Sequence, residues 1–236
     1  GEFKPTVALA SGGATFDGWG GRFEGEAARF EFGEAGRLKE ALLEGEPRAR
    51  IPIITAEGQL VQVELSATES VRLLPDAGFS VKGPCVVEVK EEGLRLECDG
   101  HLLGTGRPSG SSGWLSASGG VRATIGSMEY LGEDLELRGV TASTGAVEWM
   151  AQTRNEATLS GELSSGERAS FRAQAGGGME LVTEGDALLI RRATEADLEV
   201  FGEKAFSLLA GELREASLAT RSFQAVGGVR YVDRAI

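Results

Sequence analysis

The chain has 236 residues, 41% of them apolar, with 35 glycines and a formal net charge of −12. The apolar share supports a packed core and argues against disorder, while an acidic balance without a Lys/Arg cluster weighs against nucleic acid and anionic lipid headgroups as partners. No apolar run approaches the ~20 residues of a membrane-spanning helix, and glycine at roughly twice its usual share suits many turns better than long helices.

In chain order, the opening GEFKP has no initiator Met. Residues 1–5 read as a cloning scar and flexible start, where any natural targeting signal or anchor would have been removed. The stretch Gly25–Gly45 (GEAARFEFGEAGRLKEALLEG) resembles Gly202–Thr220 (GEKAFSLLAGELREASLAT), as if one phrase occurred twice. Both are rich in helix formers, and Leu198, Phe201, Ala205 and Leu208 recur at helical spacing behind a capping-box-like Thr194. Against a helix, Gly202 and Gly211 interrupt the second copy, each costing ~1 kcal/mol relative to Ala. Between Gly36 and Gly45 the first copy is too short to hold a helix alone. Phe30 and Phe32 alternate with Arg29 and Glu31. The segments therefore read as strands, turning at Gly33–Gly36 in the first copy and at Ala210–Gly211 in the second.

Further along, LVQVELSA sets Val61, Val63 and Leu65 on one face. Cys85 and Cys98, the only thiols, flank VVEVKEEGLRLE with a turn at Lys90–Gly93. Folding there places Val89 opposite Leu94, Val87 opposite Leu96 and Cys85 opposite Cys98, at a spacing that permits a cross-strand disulfide. A bulge at Gly93 would shift the register and leave two buried thiols instead. GTGRPSGSSG (Gly104–Gly113) reads as a loop or a break between halves. Val121, Ala123 and Ile125 then share one side of a strand, with Leu135 and Leu137 in the next. GAVEWMAQT, EATLSGEL, RASFRAQA, MELVTEG, DALLIRRA and GGVRYVD continue the pattern. Short strands about every ten residues make an all-β array of roughly twenty strands.

Motifs for chemistry are missing. His101 is the only histidine and sits at a turn, so no His-rich metal site is expected. No nucleophile elbow, phosphate loop or His-Glu-x-x-His occurs. Carboxylates are plentiful, but only Trp19, Trp114, Trp149, Tyr130 and Tyr231 are available to stack on sugars. The expectation is a protein that is not an enzyme and carries no cofactor and no metal. Asn155, the only Asn, rules out the asparagine ladders of right-handed β-helices.

ARFEFGEAGRLKEALLEGEPRARI, FSVKGPCVVEVKEEGLRLECDGHLLGTG, LSASGGVRATIGSMEYLGEDLEL and LREASLATRSFQAVGGVRYV resemble the OstA-like family, the β-jellyroll of the lipopolysaccharide-transport proteins LptA, LptC and LptD. The likeness runs from about Ala10 to Val232 and rests on spacing and turn patterns. It implies an elongated antiparallel β-jellyroll, or β-taco, half open along one side around an apolar groove. Residues 6–236 would form one extended roll, or two units with a break near 104–114. It also implies a periplasmic bridge or carrier for lipopolysaccharide or a related glycolipid, joined end to end by β-augmentation with itself or with other transport components.

Alternating strands must bury one face, and a roll that fails to close leaves an apolar groove for hydrocarbon. Candidate lining residues are Phe30, Phe32, Leu42, Val61, Val63, Leu65, Val87, Val89, Leu94, Leu96, Val121 and Ile125. The rival expectation is a structural β-solenoid, bactofilin-like or adhesin-like, that self-assembles without a ligand.

Overall fold

A computed structural model describes residues 6–18, 21–33, 36–54, 60–74, 78–90, 93–105, 114–125, 127–141, 147–162, 168–173, 178–184, 187–201, 205–217 and 222–234. The expected scar at 1–5 lies outside them, as does most of the expected break near 104–114. The fold is all-β, with twenty strands and no helix among the described residues. Among the described residues no helix is long and apolar enough to cross a membrane. Two compact units, Gly1–Gly119 and Gly120–Ile236, divide the chain.

In the first unit, β1 (Val7–Gly18) and β2 (Gly21–Phe32) pair antiparallel throughout, with an irregularity at Gly12–Gly13. Beyond them β2 splits its partners. Ala27–Phe32 pair with β3 (Leu38–Glu44), whereas Arg22–Glu24 pair with β4 (Arg48–Ile54). Two wings grow from this division. One continues from β3 through β6 (Ser70–Leu74), β7 (Gly78–Lys82) and β10 (His101–Thr105) to the start of β11 (Trp114–Ile125). The other runs β4, β5 (Leu60–Ala67), β8 (Cys85–Val89), β9 (Leu94–Cys98).

Tight corners carry the chain between wings at Gly45–Pro47, Thr68–Glu69, Gly83–Pro84 and Asp99–Gly100, while the hairpin ends of the strands, at Ile54, Leu74, Val89 and Thr105, lie opposite. Sequence chemistry makes three of these corners: Gly, Pro and Asp interrupt alternation at Gly45–Pro47, Gly83–Pro84 and Asp99–Gly100, where a strand must change sheet. Backbone bonds stitch the corners into a spine. The N–H groups of Glu26, Ala67, Thr68, Gly83 and Asp99 donate to the carbonyls of Gly45, Pro47, Pro84, Gly100 and Gly119, at 2.9 to 3.2 Å. Two corner glycines have no space for a side chain: a Cβ on Gly100 would lie 2.5 Å from the Ser118 carbonyl oxygen, and one on Gly119 2.8 Å from the Gly100 Cα.

The second unit repeats the scheme. Glu136–Thr141 of β12 (Met128–Thr141) pair with β13 (Val147–Thr153), and its Met128–Gly132 pair with β14 (Ala157–Glu162). β13 leads to β16 (Met179–Glu184), and β14 to β15 (Arg168–Ala173). The long β17 (Ala187–Phe201) and β18 (Phe206–Ser217) then span both wings, ending on β19 (Ser222–Val226) and β20 (Arg230–Asp233). Ala210–Gly211, expected as a hairpin turn, is instead a corner inside β18. Gly211 donates its N–H to the Gly227 carbonyl, and a Cβ there would meet that same oxygen at 2.9 Å. Glycine bends the strand without reversing it.

Within each unit the wings face one another. Phe16, which pairs in the β4-side half of β1, stands 5.3 Å from Phe30 of the other half. In the second unit Phe206 and Phe223 stack at 6.1 Å from opposite wings. Alternate residues such as Leu43, Val71, Val81, Leu102, Phe171, Leu198 and Leu213 are consequently buried.

Candidate functional site

The interior of the first unit is built of cross-strand rows. Beside the spine, one wing aligns Ala28, Leu43, Val71, Val81, Leu102 and Ala117, all buried. The facing wing aligns Phe23, Ala49, Leu65, Val87 and Leu96, also buried. One row farther from the spine the cover thins. Phe30, Phe79 and Leu115 on the first wing, and Ile51, Val63 and Leu94 on the second, are only half-buried. Ala41, Leu73 and Val89 lie buried in the same rows. The outcome is an apolar rim on the hairpin side, away from the spine. Phe79 reaches over Gly104, where a Cβ would fall 2.2 Å from its ring, so the absence of a side chain at Gly104 gives the ring its seat.

In the second unit the wing of β14 and β15 is buried at the corresponding depth. Tyr130, Leu159, Phe171, Leu198 and Leu208 form one row, and Ala169, Val200 and Phe206 the next, all buried. Ala157, Ala173, Ala196 and Ala210 line the corner side, and their small side chains suit close approach of the wings there. Asp134 holds the corner that joins β13 to β14. Its carboxylate accepts from Thr153 Oγ1 at 3.0 Å, from Asn155 Nδ2 at 2.9 Å, and from the backbone N–H groups of Arg154 and Asn155 at 3.2 Å. Tyr130 folds over Gly132 and donates its hydroxyl to the Asp134 carbonyl. Burial pushes this phenol up to about 12, the nearby Asp134 charge adding to the shift.

Of the expected lining residues, Leu65, Val87, Val89, Leu96 and Val121 are buried, and Phe30, Val63 and Leu94 stand at the rim. Phe32 is half-buried at the hairpin end of β2, beside an irregularity in its pairing with β3. Leu42 is a correction. It sits opposite Arg29 and Arg72 on the outer face, because Ala41 and Leu43 take the inward positions and a strand alternates. The side chains of Val61 and Ile125 lie outside the described residues. Ile51, Phe79 and Leu115 were not among the expected residues. Their signal was the alternation Ala49-Ile51, Phe79-Val81 and Leu115-Ala117.

The outer faces are charged. Glu64 accepts from Lys90 at 2.8 Å and lies 3.7 Å from Arg50, and the Lys90 bond holds its carboxyl below the ordinary value. Glu212 is held low in the same way by Arg214, with Arg192 also at 2.9 Å. These exposed pairs contribute little to stability and keep the outside hydrated. His101 is exposed, and no group of three or more candidate metal ligands occurs among the described residues. Cys85 stands opposite Cys98, Val87 opposite Leu96 and Val89 opposite Leu94, the register expected for the hairpin. Gly93 takes a left-handed φ of 59° in the turn without shifting that register. Both cysteines are thiols, with their sulfurs 3.2 Å apart.

No family model, curated protein or solved structure matches this chain.

Proposed function

We propose that the chain is a non-enzymatic carrier of acyl lipid, of the OstA-like kind. It would act in the periplasm on lipopolysaccharide or a related glycolipid. The observation that supports this reading is the half-buried apolar rim of the first unit, contributed by both wings on the side away from the spine. Hydrocarbon laid along Phe30, Phe79, Leu115, Ile51, Val63 and Leu94 loses contact with water at about 0.8 kcal/mol per methylene. The polar headgroup stays outside among the charged surfaces. No covalent step is required.

End-to-end assembly goes with the same reading. Val7 and Leu9 of β1 are exposed, Leu9 to 76%, and at the other terminus Val226, Val229 and Tyr231 are exposed as well. Edge strands with exposed apolar side chains favour strand addition by a neighbour. The buried wing of β14 and β15 in the second unit favours one rival, a scaffold that assembles without ligand.

Displacement of a fluorescent fatty-acyl probe by saturated fatty acids of increasing length separates the two. A carrier tightens roughly fourfold per added methylene until the rim is covered, and native mass spectrometry retains co-purified acyl lipid. Absence of probe binding, together with ligand-free filaments, would establish the scaffold instead.

A further inference from the structure

We propose that Cys85 and Cys98 are a reversible dithiol–disulfide couple that staples the base of the β8–β9 hairpin. Three observations carry it. The two residues are directly opposed in an antiparallel pair, a placement that brings the Cα atoms within the range a disulfide spans. Their sulfurs already face each other at 3.2 Å. Both lie at the spine end of their strands, with only 4% and 2% of their surface exposed, so oxidation waits on local opening of the corners at Gly83–Pro84 and Asp99–Gly100.

The environment assigns separate parts to the two thiols. The bond between the two sulfurs, which either can donate, and the backbone N–H groups of Ser118 and Gly100 favour the Cys98 thiolate, whereas that bond and burial push Cys85 up. In exchange with a low-molecular-weight disulfide, the Cys98 thiolate attacks one sulfur, forming a mixed disulfide and releasing the first thiolate. Cys85, deprotonated, then attacks the Cys98 sulfur and releases the second thiolate. The protein loses two electrons and two protons, and the small disulfide is reduced to two thiols. The β8–β9 hairpin carries Val87, Val89, Leu94 and Leu96 of the interior, so the bond fixes one wall of the first unit from its inner end.

The test places the full chain in glutathione buffers graded from reducing to oxidising, traps thiols by alkylation and reads intact mass. Expected is a monomer lighter by two hydrogens and free of alkylation, formed slowly from native protein and faster in mild urea that opens the corners. Its folding equilibrium constant rises roughly a hundredfold, read from the urea midpoint. Cys85→Ser accumulates a glutathione adduct on Cys98, and Cys98→Ser forms the Cys85 adduct more slowly. If fully oxidised glutathione yields no intramolecular bond, even after unfolding and refolding, or yields only cross-linked dimers, the couple does not exist. Equal adduct rates in the two variants would overturn the assignment of parts. Lipid binding does not enter the measurement, so its outcome is independent of the carrier reading.

Discussion

Tyr130 gives the second unit a measurable pH limit. The phenol is 5% exposed and donates to the Asp134 carbonyl, and its ionisation is pushed up to about 12 by burial. An unfolded tyrosine ionises near pH 10, so the difference of about two pH units corresponds to about 2.7 kcal/mol of preference for the neutral form in the fold. That contribution is complete below about pH 10 and is lost progressively as pH rises through about 12. The measurement uses Tyr231→Phe, which leaves Tyr130 as the only tyrosine. Its absorbance titration is expected at about 12, followed in parallel by urea midpoints across the same range. Tyr130→Phe in the same background removes the phenol and keeps the ring. The difference between the two variants therefore isolates this group from every other titration. A single tyrosine that titrates near 10 with no extra loss of stability would refute the burial argument.

Asp134→Ala leaves the Thr153, Arg154 and Asn155 donors without their acceptor and is expected to lower stability by about 1–3 kcal/mol in urea unfolding. Leu42→Glu, placed between Arg29 and Arg72 on the outer face, should change the midpoint by no more than about 0.5 kcal/mol, whereas Leu43→Glu one position on should prevent folding. Equal tolerance at the two positions would reverse the assignment of faces. Gly119→Ala combines a left-handed φ of 88° with contact against the Gly100 backbone and should cost more than about 2 kcal/mol. Leu94→Asp at the half-buried rim should leave the far-ultraviolet circular dichroism unchanged and weaken acyl-probe binding at least tenfold, and unchanged affinity would move the lipid site elsewhere.

Much of the fold was legible from alternation. The period-two pattern in LVQVELSA, CVVEV and LRLEC survives as rows of inward side chains, and the hairpin register of Cys85 and Cys98 follows from four turn residues. Two features were not legible. Corners and hairpin turns draw on the same residues, so Ala210–Gly211 reads as a reversal when it is a bend, and only the bond from Gly211 to Gly227, sixteen positions away, distinguishes them. Inward and outward faces are also ambiguous in ALLEG, where Ala41, Leu42 and Leu43 are all apolar. The tie is resolved by Arg29 and Arg72 on neighbouring strands, which no local window contains. Asp134 gave a weak local signal, because three of its partners come from positions 153 to 155.

The corner bonds of the first unit join only successive layers: Glu26 to Gly45, Ala67 to Pro47, Thr68 to Pro84, Gly83 to Gly100. From β3 to β10 the chain visits the wings in a fixed cycle of four strands, and among the described residues these corner bonds reach no farther than the adjoining layer. Length is therefore a free variable of this architecture. Excising or duplicating one four-strand cycle leaves each remaining layer with the same kind of neighbour on either side, so relatives of very different size can arise by copying a single stretch of gene.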